Sequence, residues 1–466
     1  MERTGTQGIQ FIVQIILARL IEPEQFGAIA IVMVFINLAQ VFVQNGFSTA
    51  LIQKKNADDL DFSSVLYLSF GISFLFSLLL YVTAPTISDF YKQPQLTAIL
   101  RVLTITLFAG AFNSIQIAYV ARKMQFKRLF FSSLGAVSIS GVVGVLMAYN
   151  HYGIWSLVVQ QIINQFLVAT ILWFTVKWRP KLIFSLNRVK VLFSYGSNLL
   201  LSAIIDSLYR DLSTMYIGKI YSTSTLGYYN RGQQFPQFIV GNINGSIQSV
   251  MLPALSSQQE NRNRVKEMTR RAIMTSSYVI FPMMIGLAAA ADPIVRIVLT
   301  EKWLPAVPFL QIFCFSFALW PIHTANLQAI NALGKSNIYL KLEIIKKIFG
   351  LMILAISINY GVYAIALSQV VSGIISSFVN AYPNKRLLNY SYSEQIKDVF
   401  PSFLISAAMG FLVYIIGLLD LSPFAVLGIQ MTAGVLFYVI ISKIFRVESF
   451  EYLLNTLKEI SLIKTP

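Results

Sequence analysis

The chain lacks most of what a water-soluble protein needs. Only 12% of its 466 residues are charged, while 56% are hydrophobic; soluble domains carry about 25% charged residues. Acidic residues are scarcer than basic ones, 20 against 36, for a net charge of +16. One cysteine, Cys314, excludes a disulfide framework. The two histidines, His151 and His323, are too far apart in sequence to join it in a structural metal site. No His-Glu-x-x-His or Gly-x-Ser-x-Gly occurs, and Gly334-Lys335-Ser336 lacks the glycine-rich loop of a phosphate-binding turn. The segments between apolar runs are too short to house a catalytic domain. These absences count against ATP hydrolysis, glycosyl transfer and polymerisation, so the chain is not expected to be an enzyme. In a soluble protein such a basic balance would point to nucleic acid; here topology explains it.

Apolar runs long enough to span a bilayer as helices, roughly 17–25 residues, stand at about 4–21, 26–49, 62–84, 96–121, 129–149 and 153–176. After a polar stretch they resume at about 191–218, 226–252, 270–291, 305–330, 341–359, 361–382, 399–419 and 423–442. The expectation is an all-α polytopic membrane protein with about 14 transmembrane helices. With both termini placed in the cytoplasm, 28 of the 36 Lys and Arg fall at cytoplasmic ends, as the positive-inside rule requires. A missed helix would invert the pattern downstream, and no inversion occurs. The first run lacks a basic leader and a cleavage site, so either the chain begins abruptly or a natural leader is missing.

An internal repeat runs at a spacing of about 200. Pro23-Glu24-Gln25-Phe26-Gly27 aligns with Thr223-Ser224-Thr225-Leu226-Gly227, and Tyr152-Gly153-Ile154-Trp155 with Tyr360-Gly361-Val362-Tyr363. Ala84-Pro85-Thr86-Ile87 resembles Ala291-Asp292-Pro293-Ile294. Six helices per copy make the repeats parallel, an arrangement used by transporters with a substrate site between two lobes. The expected organisation is an N-terminal lobe over 1–190, a second six-helix lobe over 191–398, two further helices over 399–443 and a cytoplasmic amphipathic tail over 444–466.

Several segments resemble one family. Gln10-Phe11-Ile12-Val13-Gln14-Ile15-Ile16-Leu17-Ala18-Arg19-Leu20 leads into Glu22-Pro23-Glu24-Gln25-Phe26-Gly27. With Asn45-Gly46-Phe47-Ser48-Thr49-Ala50-Leu51-Ile52-Gln53 and Leu226-Gly227-Tyr228-Tyr229-Asn230-Arg231, these resemble the polysaccharide transporter family. Its members are Wzx-type lipid-linked oligosaccharide flippases, and the likeness is to the exopolysaccharide and teichuronic acid branch. The family belongs to the multidrug, oligosaccharidyl-lipid and polysaccharide exporter superfamily, with a twelve-plus-two helix plan. The resemblance implies translocation of undecaprenyl-pyrophosphate-linked repeat units across a bacterial cytoplasmic membrane, alongside a polysaccharide polymerase and chain-length machinery, with no nucleic acid involved. The open alternatives are a cation-coupled drug exporter, a flippase for lipid-linked peptidoglycan precursors and a membrane enzyme of polysaccharide assembly.

Charges inside a bilayer cost at least about 2.5–3.5 kcal/mol and normally face protein or a wet cavity. Asp206, Arg210 and Asp211 interrupt the seventh apolar run. Asp206 and Arg210, four apart, share a helix face. They either satisfy each other or line a cavity where Arg210 meets a phosphate; two carboxylates against one Arg leave an imbalance that Arg231 is placed to settle. Repeat phase sets Arg19 opposite Lys219, and Thr6 and Gln10 opposite Asp206 and Arg210. Arg19, Lys219, Arg210 and Arg231 are therefore expected to form a cationic lining, though Arg19 and Lys219 could equally snorkel to headgroups. Gln44 and Asn45, with Asn37, Gln40, Asn113 and Gln116, offer amides for sugar hydroxyls or for helix packing. No cofactor is expected; a proton or Na⁺ gradient would supply coupling energy.

Overall fold

The computed structural model describes residues 2–44 and 47–463. By packing, the chain divides into two compact units, Met1–Asn230 and Arg231–Pro466. Unit 1 contains α1 (Glu2–Leu20), α2 (Pro23–Gln44), α3 (Phe47–Gln53), α4 (Asp59–Tyr91), α5 (Gln95–Leu103), α6 (Thr106–Arg122), α7 (Phe126–Tyr149), α8 (Ile154–Thr175) and α9 (Leu186–Ile220). Next comes α10 (Thr223–Ser256), and unit 2 continues with α11 (Arg262–Ala289), α12 (Ala291–Val298), α13 (Val307–Ala318) and α14 (Trp320–Ala332). It closes with α15 (Ser336–Ser357), α16 (Val362–Leu387), α17 (Tyr392–Ile416), α18 (Pro423–Ile444) and α19 (Glu448–Ile463).

Among the described residues, ten helical stretches are long and apolar enough to cross a membrane, and the protein is a multi-pass membrane protein. Large apolar side chains such as Phe74, Val82, Phe411 and Val435 stand more than 60% exposed on them, which only a hydrocarbon solvent tolerates in such number. Four other expected spans coincide with α1, α9, α10 and α15, which are not among the ten. These helices are diluted by Gln in α1, Asp206, Arg210 and Asp211 in α9, Arg231 and amides in α10, and Lys341, Glu343, Lys346 and Lys347 in α15.

Packing explains why the division falls after Asn230, whereas repeat phase alone sets a lobe boundary at residue 190. In unit 1, α9 lies against α2, α3 and α4. The unit's apolar core joins Phe47 and Leu51 of α3, Phe62 and Leu66 of α4, Ile115 and Val120 of α6, and Leu192 of α9. In unit 2, α11 packs on α13, α14 and α17, while α16 packs on α13, α14 and α15.

The run expected as one helix over 96–121 breaks between α5 and α6. A break inside a membrane frees backbone carbonyls that must find donors. Hydroxyls supply them: Thr104 donates to the Arg101 carbonyl at 2.7 Å and Thr106 to that of Leu103 at 2.6 Å, while two serines of α4 brace the break, Ser77 donating to the Thr104 carbonyl at 3.2 Å and Ser73 to the Leu107 carbonyl at 3.1 Å. Ser73 and Ser77 belong to a buried series on α4 with Ser63, Ser64 and Ser69, small residues that let helices approach closely.

The repeat is visible in the backbone. Gly153 caps the start of α8 at φ +55°, and Gly361 caps the start of α16 at φ +99°. Only glycine enters this region without a Cβ penalty. The α6–α7 turn closes with Gln125 N–H on the Val120 carbonyl and Met124 N–H on that of Ala121, and the α14–α15 turn does the same with Lys335 on Ile330 and Gly334 on Asn331. Within unit 1, the first turns of α2 and α10 meet through the aligned glycines. A Cβ on Gly27 would stand 1.8 Å from the Thr223 carbonyl oxygen, and one on Gly227 would stand 2.2 Å from that of Pro23. Each copy's glycine thus receives the other copy's carbonyl.

At the Lys54 end of unit 1, acids at the start of α4 gather cations. Asp61 is buried and pairs with Lys54 at 2.6 Å and Arg188 at 3.6 Å. Asp58 caps α4 and takes Arg188 at 3.3 Å. Arg122, from the last turn of α6, donates to the Leu51, Ile52, Lys54 and Lys55 carbonyls and so terminates α3, where the helix leaves acceptors unsatisfied. In unit 2, Arg270 joins three helices: its Nε lies 3.0 Å from Asp398 on α17, and its two terminal nitrogens lie 3.1 Å from the Glu448 carboxylate on α19. The amphipathic tail is thereby fastened to the bundle, with Phe450 against Tyr278.

Candidate functional site

The charged residues of α9 are sorted by the helix into different surroundings. Ser202, Asp206 and Arg210 are all exposed. At 100° per residue they follow one another as a polar stripe, with Leu199 beside it. Exposed Leu201, Ile205 and Leu208 form an apolar stripe roughly 130° away around the helix. The helix therefore offers lipid one face and charge another. At 1.5 Å per residue, Arg210 lies about 15 Å from the Ile220 end, well within a bilayer core of about 30 Å. A charge exposed at that depth needs water or a polar partner.

Asp206 and Arg210 keep the shared, exposed face that their spacing sets. Asp292 and Arg296, at the same spacing in α12, pair at 2.7 Å. Asp211 points elsewhere, as its position demands: it is half-buried and accepts from the Ser207 hydroxyl at 3.5 Å.

The other candidates divide. Arg19 is exposed in the last turn of α1, and Gln10 on the same helix is exposed too. Lys219 is half-buried, donates to the Phe90 carbonyl at the end of α4, and sits 4.0 Å from the Phe90 ring centre. Its charge neutralises the carbonyl end of a helix, which attracts cations. Arg231 is 5% exposed; its guanidinium lies over the Trp303 ring at 5.3 Å and donates to the Gln234 side chain. Arg231 thus occupies a packed position and not an open wall. Arg19, Asp206 and Arg210 are the charged candidates that remain exposed.

Among the amides, Gln44 donates to Gln40 at 2.5 Å, and Gln40 donates to the Thr106 carbonyl at 3.1 Å. This chain ties α2 to α6, and Gly110 leaves the room for it: a Cβ there would meet the Gln40 side chain at 2.2 Å. Asn113 donates to the Gln165 side chain at 3.2 Å, and Asn244 to Thr324 at 2.6 Å. These amides do packing work. Gln116 differs, being fully buried with neither side-chain atom partnered. Asn45 lies outside the described residues. Sequence reasoning missed Ser202, although its spacing of four before Asp206 gave the signal. It also missed Trp303 and Gln234 as the partners of Arg231, which lie on a distant stretch and on the next helical turn respectively.

Among the described residues no group of His, Cys, Asp and Glu could hold a metal ion.

Known proteins share this plan. The chain is 25% identical over 412 residues to the teichuronic acid biosynthesis protein TuaB of Bacillus subtilis, covering 86% of this chain and 84% of that one. It is 25% identical over 425 residues to the lipopolysaccharide biosynthesis protein WzxC of Escherichia coli, covering 86% and 84%. Its fold matches the lipid II flippase MurJ in an inward closed conformation, with a TM-score of 0.80 at 17% identity over 95% of this chain and 97% of that one. It also matches an inward-facing multidrug resistance MATE transporter, with a TM-score of 0.63 at 14% identity over 82% and 94%. The family described as polysaccharide biosynthesis protein matches residues 16–308, well over half of the length, and the chain belongs to that family, the Wzx-type members of the exporter superfamily its segments resemble.

Proposed function

We propose that this protein is a flippase that moves undecaprenyl-pyrophosphate-linked oligosaccharide repeat units across the cytoplasmic membrane of a bacterium, by alternating access, for export of an exopolysaccharide or O-antigen-type polysaccharide. The observation that carries the reading is the exposed Ser202–Asp206–Arg210 stripe on a helix whose other exposed face is apolar. A planar guanidinium there offers two parallel hydrogen bonds to a phosphate, and hydroxyl and carboxylate neighbours suit sugar hydroxyls. The names of TuaB and WzxC, which place both in the biosynthesis of surface polysaccharides, support the substrate class. A polymerase and chain-length machinery are the partners that would consume the product, and a proton or Na⁺ gradient is the proposed source of energy.

Arg210→Ala tests this. The variant should insert normally and lose polysaccharide export, while Arg210→Lys, which keeps the charge without the fork, should retain part of it. Undiminished export by the alanine variant would remove Arg210 from the mechanism.

A further inference from the structure

A cavity of about 650 Å³ opens in unit 2 among α11, α17, α18 and the first turn of α19. Its inner wall is apolar, with Ile405 and Ala408 of α17 and Phe437 and Ile441 of α18. Its rim carries Arg270, Lys397 and Arg446 against Asp398 and Glu448, a net charge of +1. Arg270 is committed to both acids, as described above. Lys397 and Arg446 are exposed, and among the described residues neither enters an ion pair. Ser449 also lines the cavity; it is 3% exposed, and its hydroxyl has no hydrogen-bond partner.

Arg446 adds a point of backbone chemistry. It follows the C-cap of α18 at φ +48°, where helices usually place Gly or Asn. Any other side chain there costs energy, so the guanidinium is held at the rim against local preference.

We infer that this cavity is a binding site for an anionic phospholipid, with acyl chain on the apolar wall and phosphodiester on Lys397, Arg446 and the Ser449 hydroxyl. Basic pockets between transmembrane helices at the cytoplasmic surface bind anionic headgroups, and the positive-inside count puts this end of unit 2 there. A soluble anion has no use for the apolar wall, and a neutral lipid has none for two uncommitted cations. The net charge of +1 matches one phosphodiester and not the multiple charge of a pyrophosphate carrier.

The test uses full-length protein in phosphatidylcholine nanodiscs, titrated with fluorescent phosphatidylglycerol. Wild type should bind it saturably, in preference to labelled phosphatidylcholine. Lys397→Gln and Arg446→Asn should each weaken binding about fivefold, the factor that about 1 kcal/mol per basic residue corresponds to. Arg446→Asn should unfold at or above the wild-type temperature, because Asn tolerates the left-handed backbone, so loss of lipid cannot be loss of fold. Unchanged phosphatidylglycerol binding in the double variant, equal binding of phosphatidylcholine, or displacement of the label by lower concentrations of a polyprenyl pyrophosphate than of unlabelled phosphatidylglycerol would each overturn the assignment.

Discussion

Gly27→Ala puts the contact between the two repeat copies to a quantitative test. An alanine Cβ would stand 1.8 Å from the Thr223 carbonyl oxygen, and real Cβ contacts essentially never fall below 3.0 Å. The first turns of α2 and α10 would have to separate by at least the difference, 1.2 Å. Both sides of the contact are helix backbone, so no side chain can swing away. Overpacking of this kind costs about 1–3 kcal/mol. Helix propensity acts in the opposite direction, since Gly→Ala in a helix is worth about 0.8–1.0 kcal/mol; a backbone contact this short belongs at the upper end of the overpacking range, so the clash should win by up to about 2 kcal/mol. Gly71→Ala supplies the control, because a Cβ there meets nothing within 4 Å and should leave stability unchanged or raise it. Thermal unfolding of purified protein in detergent should rank Gly27→Ala below wild type and Gly71→Ala at or above it. If Gly27→Ala unfolded as late as Gly71→Ala, the carbonyl-on-glycine contact would not constrain the fold.

Three further outcomes are expected. Met124 holds φ +56° while 76% exposed; relieving a left-handed residue that costs about 1–2 kcal/mol, less the entropy glycine brings, should make Met124→Gly more stable by about 0.5–1 kcal/mol, and an unchanged or lower unfolding temperature would refute this. The Asp61 backbone N–H, the Asp61 side chain and the Arg188 and Lys54 charges hold the Asp58 carboxyl below its ordinary 3.8. A depressed carboxylate contributes stability above its unfolded pKa and loses it as pH falls through the folded one. Unfolding temperature should therefore fall less steeply below about pH 4 in Asp58→Asn, which keeps the cap but has no charge to lose; parallel pH profiles would count against the pairing. In a Cys314→Ala background, Asp206→Cys should react with a membrane-impermeant thiol reagent, and protection under every transport condition would return Asp206 to a structural role.

Helices were readable because hydrocarbon demands long apolar runs, and among the described residues each of the fourteen expected spans overlaps one or more helices. The breaks were not. Nothing at Thr104 or Ile105 marks the end of α5, because neither is Gly or Pro; the interruption is made good by the Thr104 and Thr106 hydroxyls and braced by Ser73 and Ser77 on another helix. The repeat was legible where glycine is compulsory, at Gly153 and Gly361, and at Gly27 and Gly227. At the site, the sequence exposed Asp206 and Arg210 by setting charge in an apolar run. It left open whether they pair, because four-residue spacing permits an ion pair without enforcing one. Lys219 on the Phe90 carbonyl and Arg231 over Trp303 depend on contacts between distant stretches, which composition and periodicity do not encode.

The polar stripe of α9 bears on how the molecule is made. A helix carrying Asp206, Arg210 and Asp211 partitions poorly into lipid alone, yet α9 lies against α2, α3 and α4, all synthesised earlier. The ribosome thus delivers the receptor surface before the reluctant segment, and α9 enters the membrane by joining a bundle already in place. Order along the chain serves as an assembly instruction: moving α9 ahead of α2 in a rearranged gene would keep every residue and remove its host.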